Sequence, residues 1–576
     1  MVYFGTVETT TPADMATSQD AAEPATPDTD AIHRVRTGTA IAPIALLAAC
    51  GGATGSGTTG TSAGTTVTPS GGVVVVSAPP TDTEASRFLA QATMGANRAG
   101  IAEVVAKGYE PWIDAQFKVP RTLTLWDAMI ARGESAFANV NSIDGYDASV
   151  WRSLIAEPDQ LRQRVATALL DFIVVGANIQ TVWPQMHMTA FFDVLADNAF
   201  GNYRTLLGQI TLNPAMAIWL SLLNNKKGDP ATGSQPDESY AREIMQLFSI
   251  GLYQLNMDGS LRTANGAPVD TYAQRDVSQL ARIFTGLTQP DWDWKKYTIA
   301  RNPLVMEPTL NETGASTFLG RTIAGGGMAA VNAALDTIFA HPNVPPFVSH
   351  QLIQRLVTSN PSPAYVQRVA TVFADNGKGV RGDLQAVVKA ILLDTEARSS
   401  DNVTSTTFGR LRPPVQRLTA WARAFNVTSP GNAWAIGNTA SAATGIGQST
   451  GQAPSVFNFF RPGYTPPGSE VQTRGLVAPE FQIANEQSVI SYVNFMYKLV
   501  GDGVGDLKAD YGALTPLATD SGALVNEVNV LLAAGQLSGT TIATIKGAVD
   551  SAGSVATKIN IAVLLTLAAP EFLVTR

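Results

Sequence analysis

Cysteine occurs once in this 576-residue chain and histidine four times. A single thiol excludes an intramolecular disulfide and any zinc or iron–sulfur site built from clustered cysteines. The histidines are His33, His187, His341 and His350, too few and too scattered for a multi-histidine metal centre. No metal and no cofactor is expected. Basic runs are absent too, and the formal charge is −8. Affinity for nucleic acid comes largely from neutralising phosphates, so nucleic acid is not an expected partner. Charged residues make up only 15% of the chain, against 45% hydrophobic. That apolar content can bury a large core and excludes a wholly disordered chain. No apolar run suits a transmembrane helix, which needs about 20 residues.

What is present begins with an export pattern. His33-Arg34-Val35-Arg36 is basic, residues 37–49 are uncharged and apolar from Ala40, and Leu47-Ala48-Ala49-Cys50 ends the run. Basic region, short apolar region and small residues before a cleavage point describe a secretory signal. The last four residues resemble the lipobox of bacterial lipoproteins. The resemblance implies that the Cys50 thiol receives a diacylglycerol, that the peptide is cut before it, and that the new amine is acylated. Each buried CH₂ of such chains contributes roughly 0.8 kcal/mol of membrane affinity. Gly51 follows where some lipoproteins carry Asp, which by the same resemblance favours the outer membrane of a Gram-negative cell. Residues 1–30 are acidic and rich in Thr, Pro and Ala, which does not suit a signal peptide, so translation is expected to start later, near Val35. Six of the 47 acids and two of the 39 strong bases precede Cys50, so a chain starting there carries a net charge of −4.

Three segments follow: 1–49, an upstream extension plus lipoprotein signal peptide; 50–80, a lipidated cysteine and flexible Gly/Ser/Thr tether; and 81–576, a folded domain. The tether's Gly60-Thr61-Ser62-Ala63-Gly64 matches a nucleophile elbow formally, but no strand and helix flank it. Thr81-Asp82-Thr83-Glu84 has capping-box spacing and predicts a helix through Met94. Asn97 predicts another through Lys107, stopped by Gly108. Helices are also predicted at 161–175, 191–199 and 203–211, and from Pro363 to Ala374. Asp383 caps a helix whose Leu384, Val387, Val388, Ile391 and Leu392 share one face. Val73 to Val76 reads as a short strand, and Asp258-Gly259 and Asn265-Gly266 read as hairpin turns. The expected fold is mainly α: a large multi-helix domain with short hairpins and long loops.

From Arg87 onward the chain resembles the bacterial family catalogued as domain of unknown function 1800. Arg87-Phe88-Leu89-Ala90-Gln91-Ala92-Thr93 matches its opening. Gln163-Arg164-Val165-Ala166 and Ala199-Phe200-Gly201-Asn202-Tyr203 follow. The most specific block is Pro236-Asp237-Glu238-Ser239-Tyr240-Ala241-Arg242-Glu243, and Val456-Phe457-Asn458-Phe459-Phe460-Arg461-Pro462-Gly463-Tyr464 comes late. The likeness spans essentially 83–576. It implies an exported protein but carries over no activity. It also implies a possible partner, because members are often encoded beside a second exported family, domain of unknown function 1501, which resembles alkaline phosphatases and sulfatases. Two departures stand out. Ser239 replaces the family's Asn, and Arg410-Leu411-Arg412-Pro413-Pro414 lacks the acid of a Lys-Leu-Arg-Glu-Pro block.

The candidate catalytic residues are Glu238, Arg242, Glu243 and His341. A helix over 236–252 would put Glu238 and Arg242 on one face, with Arg242 holding one carboxylate ionised and a buried partner protonated. The plainer reading is a helix-start acid pair and a structural bridge. Either way these charges are expected at an interior junction. His341, in a loop before Pro345-Pro346, could act as a base or shape its turn, and His350 is expected to be solvated. The candidate binding residues are Tyr240, Trp292 and Trp294. The tryptophans stand beside Asp291 and Asp293, a mixture suited to stacking on sugar or to packing a loop. Two functions follow from these residues: a lipid-tethered scaffold that binds a surface polymer, such as a polysaccharide, or the product of a neighbouring gene; or a hydrolase acting on envelope or extracellular polysaccharide through Glu238 and Glu243.

Overall fold

The computed structural model describes residues 79–576, together with the backbone of two short strands before them. The chain divides into two units, Met1–Val76 and Ser77–Arg576. In the first, Thr66–Val67 pairs antiparallel with Val73–Val74, so the expected strand is two residues long and its partner lies in the Gly/Ser/Thr segment. Cys50 and the whole export segment lie outside the described residues.

The second unit is mainly α, and its strands are isolated antiparallel pairs of two or three residues. Local capping sets many of the helix starts. The Thr81 hydroxyl accepts from the Glu84 amide while Glu84 reaches back to the Thr81 amide, and Asp82–Ala92 follows. Asn97 caps Arg98–Lys107, Ser362 caps Pro363–Ala374 and Asp383 caps Leu384–Leu393. All five apolar residues read as one face of that last helix are buried. Asn265-Gly266, both with positive φ, turns Thr263–Ala264 into Ala267–Pro268.

Three helices depart from expectation, two of them through a tertiary contact. The helix expected over 161–175 is Gln160–Leu170, because the following strand of chain is drawn away: Ala177 N–H donates to the Gly451 carbonyl, and a Cβ on Gly176 would meet the Ala453 carbonyl oxygen at 2.6 Å. The helix expected over 191–199 is longer, Pro184–Asp197, with Pro184 in its first turn. The helix expected over 236–252 is only Ser239–Gln246. Asn225 grips the Asp237 backbone from both sides, accepting from its N–H and donating to its C=O at 2.9 Å each, which holds 236–238 out of the helix. At the far end Ile250 N–H returns to the Met245 carbonyl, and Gly251 takes φ +69°.

One continuous core runs through the second unit. A smaller apolar cluster joins Trp126, Met129, Trp183, Met186, Ala190, Ile299 and Ala300. The two ends of the unit meet. Arg87 Nε donates to the Arg576 carbonyl at 2.8 Å, and the C-terminal Val574–Thr575 pairs with Arg410–Leu411.

Candidate functional site

Glu238 immediately precedes Ser239–Gln246 and faces the helix Gln274–Phe284. Ser278 Oγ donates to its Oε1 at 2.5 Å, Gln274 Nε2 to its Oε2 at 2.6 Å, and Arg242 Nη2 to that same oxygen at 3.1 Å. Both carboxylate oxygens are therefore engaged. Glu243 differs: its Oε2 is buried without a partner, and burial pushes its carboxyl pKa up against the opposing charge of Arg242. One acid with a full set of donors and another whose pKa burial raises is a difference in environment that acid–base chemistry can use. The ion pair is not interior, however. The Arg242 and Glu238 side chains are 38% and 30% exposed, because Glu238 lies outside the helix and the pair sits at its open N-terminal end.

A second polar assembly lies deep in the fold, and sequence reading singled out neither Arg355 nor Glu480 for it. The guanidinium groups of Arg164, Arg355 and Arg410 meet there beside the carboxylates of Asp171 and Glu480. Arg410 Nη2 and Nε donate to Glu480 Oε1 at 2.8 and 3.0 Å, and both side chains are 2% exposed. Arg164 and Arg410 both donate to the Arg355 carbonyl. Arg355 Nη1 donates to Gln351 Oε1 at 2.5 Å, and Asn458 Nδ2 donates to Asp171 Oδ1 at 3.1 Å. Arg412 and Arg417 extend the group, stacked on Phe572 and Tyr492 at 4.3 and 5.1 Å. Burial pushes the Arg164 and Arg355 pKa values down and that of Asp171 up, the neighbouring arginines opposing the latter. Carbonyl acceptors, stacking and two carboxylates together hold five arginines that an apolar interior would otherwise reject.

Arg164, Arg410, Arg412 and Asn458 come from the blocks 163–166, 410–414 and 456–464, distant in sequence and joined in this assembly. The family model described as Protein of unknown function (DUF1800) matches residues 87–574. The chain belongs to this family. No curated protein and no solved structure matches it. The two departures from the DUF1800 blocks fall in different settings. Ser239 is exposed, its N–H bonded to Asp237 Oδ1. Pro413 lines a cavity of about 20 Å³ with Asp171, Gln416 and Asn458, and so adjoins the arginine assembly.

The remaining candidates separate. His341 ends the helix Gly327–Ala340, its Nδ1 accepts from the Asn343 N–H at 3.1 Å, and its carbonyl accepts from Arg381. Burial, then the Arg381 charge, lowers its pKa. These contacts shape a turn and do not include Glu238 or Glu243. His350 is half-buried in Val344–Leu356 rather than solvated, and burial lowers its pKa to about 4. Tyr240 is not available as a binding residue. It is buried, its hydroxyl is 2.7 Å from Thr211 Oγ1, and its ring meets Phe284 edge-on at 5.3 Å. Trp292 and Trp294 are 54% and 46% exposed. Trp183 Nε1 donates to the Trp294 carbonyl, and the Trp294 ring lies 5.4 Å from that of Phe137, itself exposed. Trp292 borders an open hollow of about 400 Å³ with Gln180, Thr181 and Ser221. Among the described residues no group of three or more His, Cys, Asp or Glu is placed to hold a metal ion.

Proposed function

We propose that this DUF1800 member is a cell-envelope lipoprotein, anchored through Cys50 to the outer membrane of a Gram-negative cell, that binds a surface polysaccharide. The observation that carries this reading is the exposed Phe137 and Trp294, their rings 5.4 Å apart and backed by the buried Trp183, with the exposed Trp292 two residues before Trp294 in the chain. Large aromatic rings left in water cost hydrophobic free energy, and amphipathic aromatics concentrate at binding surfaces. Gln180, Thr181 and Ser221 beside Trp292 add the hydrogen-bonding groups that sugar hydroxyls need. A second apolar face, Val489, Ile490 and Tyr497 on Glu486–Gly501, offers area for a protein partner, and the exported family resembling alkaline phosphatases is the candidate.

The second reading, hydrolysis, is favoured by the Glu243 carboxyl, whose buried Oε2 has no partner. The test is a binding isotherm of the full chain on purified envelope polysaccharide. Trp292→Ala with Trp294→Ala should abolish retention while leaving the unfolding midpoint unchanged. Undiminished retention would refute the aromatic face as the binding surface.

A further inference from the structure

A cavity of about 440 Å³ shares no lining residue with the aromatic face or the arginine assembly. Its volume falls in the range of small-molecule sites, roughly 300–1,000 Å³. The helices Tyr203–Thr211 and Gly327–Ala340 form two walls, and residues 301–303 close a third side. Val194, Leu212, Met328, Val331 and Leu335 make the lining largely apolar. Gly208 keeps it open. Glycine is a poor residue for a helix interior, and a Cβ here would meet only the tip of Arg204, at 3.2 Å. No backbone approach demands glycine at this position.

The polar groups around this lining are one-sided. Every amide acceptor is already used. Gln209 Oε1 accepts from Asn198, Asn213 Oδ1 from the Ala215 and Met216 N–H groups, and Asn332 Oδ1 from Arg204. Several donors are not used, although Asn332 Nδ2 is spent on the Met328 carbonyl. Asn213 is 5% exposed, yet its Nδ2 has no partner among the described residues. Arg204 spends Nε and Nη2 on Asp336 and Asn332 and leaves Nη1 without a partner. Arg301 forms no ion pair among the described residues and is held 4.6 Å over the Trp126 ring. A cavity that is apolar within and offers surplus donors, two of them cationic, is complementary to an acceptor carried on an apolar body.

We propose that this cavity is a binding site for an anionic amphiphile, a hydrocarbon body ending in a carboxylate. The hydrocarbon lies over Val331 and Leu335, and the carboxylate takes hydrogen bonds from Arg301 and Asn213. This site is independent of the polysaccharide reading and stands or falls without it.

The experiment is calorimetric titration of the full chain with decanoate below its micellar concentration, beside decyltrimethylammonium and decyl phosphate. Decanoate should bind at one saturable site and the cation should not. Arg301→Gln, at an exposed position, should keep the fold and weaken decanoate about tenfold or more, the loss expected for a hydrogen bond to a charged group. Gly208→Leu, which suits a helix and fills the space, should abolish binding. Absence of decanoate binding, or equal binding by both variants and the wild type, would overturn the proposal. Decyl phosphate binding tenfold tighter than decanoate would overturn the carboxylate assignment.

Discussion

Replacing Glu480 by glutamine removes one of two carboxylates from an interior that holds five guanidinium groups. The Arg410–Glu480 pair is almost wholly dry, with contacts of 2.8 and 3.0 Å. At such distances two charges attract by about 4–6 kcal/mol at an effective dielectric of ~20. Much of that offsets desolvation in the intact protein, but loss of one partner leaves the desolvation of the other uncompensated. Breaking a buried pair in this way costs about 3–5 kcal/mol. Glu480→Gln should therefore destabilise the domain by that amount, since Arg164, Arg355 and Arg410 then share Asp171 alone. Arg410→Met should cost less, because Glu480 keeps nearby arginines. The double variant Arg410→Met, Glu480→Leu should recover much of the loss, as apolar replacements of buried pairs often do. Urea unfolding followed by far-UV circular dichroism reads these differences as midpoint shifts at constant slope. A Glu480→Gln midpoint equal to the wild type would refute the view that this acid holds the arginines in place.

Arg242→Ala should cost only about 0.5 kcal/mol, the scale of a partly exposed i,i+4 pair. A loss above roughly 2 kcal/mol in the same urea assay would show the pair to be structurally central. His187 is buried, its Nδ1 3.0 Å from the Trp183 carbonyl, and burial lowers its pKa to about 4. The unfolded chain, titrating near ~6.5, then binds more protons than the folded one as pH falls. Stability falls accordingly from about pH 6.5 down to about 4, by up to ~3 kcal/mol from this residue. The stability gap between wild type and His187→Gln should narrow across that window; a constant gap in equilibrium unfolding would exclude the titration. Cys50→Ser should leave the protein uncleaved or soluble in membrane fractionation. An unchanged mass at the mature N-terminus would remove the lipid anchor from the account.

Local signals were legible in the sequence wherever local bonds decide the structure. The Thr81, Asn97, Ser362 and Asp383 caps each satisfy amides within three residues, so the starts of those helices follow from the chain itself. Pro236 to Glu238 were misread because the side chain of Asn225, eleven residues upstream of Pro236, grips that backbone. Tyr240 shows a similar limit: its helix position marks a face, but Thr211 and Phe284 make that face interior. The arginine assembly draws on residues from 164 to 480, and no local pattern records such a meeting. A hint existed in Arg164, which stands among Leu161, Val165 and Ala168 on a helix buried nearly all round. The exposed Trp292 and Trp294 were legible as a pair, whereas the backing of Trp294 by Trp183, more than a hundred residues away in sequence, was not.

The central claim, binding rather than turnover, is tested most directly by one measurement on the wild-type chain. Envelope polysaccharide is incubated with excess protein, and bound protein and newly formed reducing ends are measured in the same samples, with Glu243→Gln in parallel. The account predicts saturable binding, no increase in reducing ends, and the same isotherm for Glu243→Gln. Release of reducing ends by the wild type, lost in a fully folded Glu243→Gln, would contradict it and establish the hydrolase.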